Sequence, residues 1–166
     1  MVKEGLWRHL LARIHHDSAV SLVDSFPMPV HRFGRTYRCR LLPEEAAFGY
    51  YEMAKQTFYG LRAHLRVCWP GGICGASLAS ANVRDLSVAE ELLEGVGRGR
   101  VLGDRNYHNP TLSKRLDEKG VALLTPHKKA NKNERRPWPR FLVQKRRRIE
   151  TVVSPGILAR RSPRRK

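Results

Sequence analysis

The sequence predicts an α/β fold: a mixed five-stranded sheet flanked by helices. Two apolar runs, Ala19-Val20-Ser21-Leu22-Val23 and Val101-Leu102-Gly103, each end abruptly in an aspartate, Asp24 and Asp104. Such runs read as buried strands carrying a carboxylate at the carboxyl end. Between them Leu61, Ala63, Leu65, Val67 and Trp69 alternate with Arg62, His64, Arg66 and Cys68, Pro70-Gly71-Gly72 turns the chain, and Ile73 to Ala79 returns, which describes a β-hairpin. From Asn82 onward helices alternate with strands, and such units cross over right-handed to parallel neighbours. Antiparallel and parallel pairing in one chain make the sheet mixed.

The elements follow in order. Leu6, Trp7, Leu10, Leu11 and Ile14 lie at helical spacing, so residues 4–16 predict an amphipathic helix. It is too short for a helix-turn-helix reading head, and residues 1–17 read as the remnant of an upstream region. The Asp24 strand is followed at once by Pro27 and Pro29. His31 to Tyr59 is rich in Arg, Tyr and Phe without a clean period, and is expected to be irregular with one short helix near Glu44–Lys55. After the hairpin, its second face basic, Asn82 to Asp85 offers an N-cap for an acidic helix running to about Glu94. Gly95, Gly97 and Gly99 then release the chain into the Asp104 strand. Asn109-Pro110 opens a helix through Lys119, Gly120 closes it, and Val121 to Thr125 is a further strand. A basic, Pro-bearing loop over 128–139 leads to a last helix over Arg140–Val153, stopped by Pro155-Gly156. The main domain is expected over 18–154 and a basic, disordered tail over 155–166.

At 166 residues and 41% hydrophobic the chain has room for one domain with a real core. No run approaches the ~18 apolar residues of a membrane span, and Arg8, His9 and Arg13 interrupt the N-terminal apolar stretch, so a cytoplasmic protein is expected. Cys39, Cys68 and Cys74 lack paired C-x-x-C spacing; they read as small buried or semi-buried thiols, without support for a disulfide framework or a zinc site. The net charge is +17. From His127 on, 15 Lys and Arg face only Glu134 and Glu150, a net +13, which leaves +4 for the first 126 residues. A block of that kind favours a polyanion such as nucleic acid, although Arg160–Lys166 alone reads better as a solubilising tail.

If the two Asp-terminated strands are parallel neighbours, Asp24 and Asp104 meet at the sheet edge where open α/β sheets build sites. Paired carboxylates suit a divalent cation that takes oxygen ligands. Each Asp taken singly also serves as an ordinary strand-to-loop residue. On the last helix Arg146 and Glu150 are four apart and share a face. Glu150, alone among Lys145-Arg146-Arg147-Arg148, is either a third ligand among phosphate-binding cations or part of a solvated charged face.

Asp24-Ser25-Phe26-Pro27, Asn82-Val83-Arg84-Asp85, Gly103-Asp104-Arg105-Asn106-Tyr107 and Arg146 with Ile149-Glu150, in that order, resemble the insertion-sequence DDE transposases over roughly residues 18–154. The resemblance implies an RNase H-like fold, with Asp24, Asp104 and Glu150 as catalytic, metal-ligating acids and Arg146 in its place four before the glutamate. It implies Mg²⁺ or Mn²⁺, two ions about 4 Å apart, clamping the attacking and leaving oxygens of an in-line displacement at phosphorus. Water nicks the element's end, and the freed 3′-hydroxyl attacks target DNA. The implied partner is double-stranded DNA, both element ends and target, in the bacterial nucleoid, and a homodimer is compatible with it. Arg105, Lys128, Lys129, Lys145, Arg146, Arg147 and Arg148 would hold phosphates, contacts that position DNA without reading bases. The family's signature has a tyrosine seven before the glutamate and a lysine seven after it, where this chain has Val143 and Ile157. With Pro155-Gly156 soon after Glu150 and an unrelated stretch from Ile157 to Lys166, a truncated copy with weak cleavage is expected. A non-catalytic basic nucleic-acid-binding protein and a stand-alone RNase H-type nuclease are the alternative readings.

Overall fold

A computed structural model of the protein describes residues 16–31, 41–52, 54–94 and 96–126, together with His9, Arg13, Arg140, Val143 and Gln144. These last five are helical, whereas His16 is not; the rest of the expected helices over 4–16 and 140–153, the basic loop over 128–139, the tail and Cys39 lie outside the described residues.

The strands are β1 (Asp17–His31), β2 (Ala47–Tyr51), β3 (Gln56–Trp69), β4 (Gly72–Ser80), β5 (Gly99–Leu102) and β6 (Val121–Leu124). The helices are α1 (Asp85–Leu93), between β4 and β5, and α2 (Pro110–Glu118), between β5 and β6, with a 3₁₀ turn at Arg105–Tyr107. The strand order is β2-β3-β1-β5-β6. β1 is antiparallel to β3 and parallel to β5, and β5 is parallel to β6. The other edge of β3 is shared, β2 pairing Gln56–Gly60 and β4 pairing Leu61–Cys68. This is the expected mixed α/β sheet flanked by helices, with one more strand than the five anticipated.

That extra strand, β2, replaces the helix expected near Glu44–Lys55. Phe48 and Tyr50 alternate with half-buried neighbours, a period of two that suits aromatic residues on a pleated sheet. Gly49 lets the strand pass close to the chain after β4, because a Cβ there would lie 2.6 Å from the Ala81 carbonyl oxygen. β1 also differs from expectation: it does not end at Asp24 but continues to His31 along β3. Pro27 and Pro29 are accommodated because pairing with β5 stops at Leu22–Leu102 and β1 is an edge beyond it.

Helix ends follow their sequence signals in part. The Asn109 side chain accepts hydrogen bonds from the Thr111 and Leu112 N–H groups, Pro110 follows, and Gly120 at φ +78° ends α2. At α1 the expected cap is corrected: Arg84 occupies the N-cap without a side-chain bond, and Asp85 is the first helical residue.

The core has two faces. Val23, Val101, Val121 and Leu123 meet Ala89, Leu92 and Leu93 of α1, Leu112 and Leu116 of α2, and Tyr107. On the opposite face Leu22, Val67 and Leu102 form a smaller cluster with Phe26, Leu65, Ile73 and Leu124. Both faces of β3 are therefore covered, which corrects the expectation of a basic, exposed second face: His64 is fully buried and Arg62 and Arg66 are partly so. The cysteine reading is corrected as well. The β3–β4 hairpin places the Cα atoms of Cys68 and Cys74 6.1 Å apart, and the two are joined by a disulfide. Among the described residues no helix is long and apolar enough to cross a membrane.

Candidate active site

The site lies where β1 and β5 part. Their ladder ends at the Leu22–Leu102 pair, so Asp24, within β1, and Asp104, just past the end of β5, each stand two residues beyond it. Both line one open cleft of about 870 Å³. Each carboxylate is oriented by a main-chain N–H close in sequence: Ser25 N–H donates to Asp24 Oδ1 at 2.8 Å, and Asn106 N–H donates to Asp104 Oδ1 at 2.8 Å. The second bond makes Asp104 the cap of the 3₁₀ turn, which throws Arg105 outward and Tyr107 inward.

The cleft's walls have distinct chemistry. Arg84 and Arg105 are exposed cations on the cleft wall, and Phe48, Tyr50 and Tyr51 of β2, with Glu52 after them, form a rim. Arg62 is committed to the interior, donating from Nη1 to Asp85 at 3.2 Å and from Nη2 to the Tyr50 carbonyl at 3.2 Å.

Asp85 is the buried centre of this region. Besides the Arg62 bond, its Oδ1 accepts from Ser25 Oγ at 3.0 Å, and its Oδ2 accepts from Asn106 Nδ2 at 3.2 Å. His64 Nδ1 is 3.8 Å from the same Oδ1. Placed at the first turn of α1, the carboxylate also faces the positive end of the helix dipole. Beside it, His64 Nδ1 and the Tyr107 hydroxyl share a hydrogen bond of 3.3 Å in which the tautomer decides the donor. Burial pushes His64 below the usual imidazole range against the pull of Asp85. Burial first, and then the negative charges of Asp85, Asp104 and Asp24, raise the Tyr107 phenol above its ordinary range.

Of the residues expected from sequence, the fold brings together Asp24, Asp104 and Arg105. Glu150, Lys128, Lys129, Lys145, Arg146, Arg147 and Arg148 lie outside the described residues. Among the described residues no group of three or more His, Cys, Asp or Glu side chains could hold a metal ion. The two aspartates nonetheless have the character a hard divalent cation requires: oxygen donors lining one cleft and already oriented by main-chain donors. Sequence reasoning assigned no role to Asp85, His64 or Tyr107. The one signal available is His64 itself, a polar residue in the basic half of an alternation that by itself does not say whether that half is covered.

A family model described as transposase DDE domain matches residues 15–156. No curated protein matches the chain. Among solved structures, the chain is similar to the piggyBac transposase in a synaptic complex with hairpin DNA, at 14% identity and TM-score 0.45, over 75% of this chain and 25% of that one. It is also similar to a chain of the simian T-cell lymphotropic virus intasome in complex with PP2A regulatory subunit B56 gamma, at 11% identity and TM-score 0.36, over 87% of this chain and 45% of the other. This chain therefore spans less than half the length of either. With the family model covering the whole sheet and both aspartates, the chain belongs to the transposase DDE domain family.

Proposed function

We propose that this chain acts as the catalytic domain of an insertion-sequence transposase, cutting DNA at the element's ends and joining the freed 3′-hydroxyl to a target strand. Asp24, Asp104 and Glu150 are the residues that would hold divalent cations, Mg²⁺ or Mn²⁺. When bound, such ions supply the positive charge that activates the attacking oxygen and neutralises the leaving one at phosphorus. The chain's own contribution is orientation. Ser25 and Asn106 hold one oxygen of each aspartate through their N–H groups, and buried β1 and β5 fix where the two side chains start. Arg84 and Arg105, exposed on the cleft wall, are placed to take phosphate oxygens, with Lys128, Lys129, Lys145, Arg146, Arg147 and Arg148 adding to a DNA-holding surface. The domain division at 18–154, with a helical segment before it and a basic tail after it, belongs to the same reading, as does action on duplex DNA in the cytoplasm.

The observation that supports this reading is the shared cleft: Asp24 and Asp104, each two residues past the last β1–β5 pair, line it together. The test is Mg²⁺- or Mn²⁺-dependent nicking of supercoiled plasmid by the purified chain, beside Asp24→Asn, Asp104→Asn and Glu150→Gln. Each substitution should lower the rate on the order of 100-fold or more, since misplacing a reacting group by about 1 Å already costs that much. Duplex binding with no nicking by any form would instead favour the non-catalytic binding protein.

A further inference from the structure

Asp85 is enclosed, its side chain 2% exposed, yet its bonds reach the two places where Asp24 and Asp104 are held. Ser25 and Asn106 each make two bonds of the same design. Each donates its N–H to the neighbouring site aspartate, at 2.8 Å in both cases, and each donates a side-chain hydrogen to Asp85, Ser25 at 3.0 Å and Asn106 at 3.2 Å. The Ser25 side chain shares the face of Val23, which α1 covers, whereas Asp24 shares the parity of Leu22 on the opposite face. Asp85 therefore meets β1 on the face opposite the Asp24 side chain, and it reaches the 3₁₀ turn capped by Asp104 through Asn106.

A link of this kind is needed because the sheet does not provide it. The β1–β5 ladder ends at Leu22–Leu102. Beyond that point β1 runs on along β3 to His31, while β5 gives way to the 3₁₀ turn, so Asp24 and Asp104 belong to diverging segments. From these observations we infer that Asp85 is a positioning residue for the cleavage site: through Ser25 and Asn106 it sets the spacing and direction of Asp24 and Asp104. Arg62, on Oδ1 of the same carboxylate, holds Asp85 in place from β3. The inference rests on the proposed role of the two aspartates.

The test uses the full chain and two readouts, Mn²⁺ affinity by titration calorimetry and plasmid nicking in Mn²⁺, with thermal unfolding as a fold control. Outer residues that orient metal ligands are worth about 10- to 100-fold in affinity or activity, and Asp85→Asn should show a loss of that size in both readouts. Because a change at a buried carboxylate can disturb folding, Ser25→Ala with Asn106→Ala provides the second arm: it cuts both links while leaving Asp85 with Arg62 and His64. That double variant should lose Mn²⁺ affinity about tenfold or more while remaining folded, and restoring a hydroxyl with Ser25→Thr in the Asn106→Ala background should recover part of the loss. Unchanged Mn²⁺ affinity in the double variant, when Asp24→Asn has lost it, would overturn the positioning role and leave the cleavage-site reading standing. If Asp24→Asn and Asp104→Asn bind Mn²⁺ like the parent chain, both readings fail together.

Discussion

His64 sits fully buried between Tyr107 and Asp85, with its Nε2 lacking a hydrogen-bond partner among the described residues. In the unfolded chain it titrates near 6.5, and burial lowers that value in the fold. The unfolded form thus takes up a proton first as pH falls, so His64 contributes stability that is full above about 6.5 and lost at lower pH as the folded value is approached. Thermal unfolding should show a midpoint that drops from pH 7.5 to 5, with a shallower slope in His64→Asn; an equal slope in that variant would place the effect elsewhere. Tyr107→Phe removes the hydroxyl from His64 Nδ1, leaving a second buried nitrogen without a partner. It should cost about 1–3 kcal/mol in urea unfolding, and no loss would mean that the ring finds water or another donor.

Among the elements, β2 and α2 show how local chemistry meets packing. α2 is specified almost entirely by its own ends, with Asn109 accepting two N–H bonds and Gly120 turning the chain at positive φ. Asn109→Ala should lower stability by about 1 kcal/mol, measured by chemical denaturation, without affecting the cleft. β2 is specified by what it passes. An added methyl at Gly49 would press on the Ala81 carbonyl, so Gly49→Ala is expected to cost about 1–3 kcal/mol and to loosen the aromatic rim of the cleft. Proteolysis of the segment around Tyr51 should then quicken, and an unaltered digestion rate would show that β2 tolerates the shift. The period-two pattern of Phe48 and Tyr50 was present in the sequence, but a single five-residue strand between irregular neighbours carries too little periodicity to stand out.

For the molecule as a whole, charge is divided unevenly, with +13 of the +17 beginning at His127. Removing residues 127–166 should abolish most duplex-DNA affinity and flatten its dependence on salt, because released counterions scale with the phosphates a protein neutralises. Fluorescence anisotropy across a salt series measures this, and an unchanged slope would assign DNA contact to Arg84, Arg105 and the rest of the cleft instead. The strand order places that cleft at the carboxyl end of β5, the position at which an open α/β sheet leaves room for a ligand.

The sequence by itself determined the order of β1, the β3–β4 hairpin, α1, β5, α2 and β6, and it located Asp24 and Asp104 at the point where an apolar run gives out. Those features are written in neighbouring residues: a period of two or 3.6, a capping Asn, a closing Gly. Only the tertiary structure decided that β1 continues beyond Asp24, since a strand's length depends on its partner β3. It likewise decided that His64 faces the interior, because α1 covers a face that alternation alone leaves open. The gathering of Ser25, Arg62, Asn106 and Asp85 was beyond local patterning for the same reason. These residues are 21 to 60 positions from Asp85 in the chain, and the bonds among their side chains exist only after β1, β3 and the 3₁₀ turn have been brought beneath the start of α1.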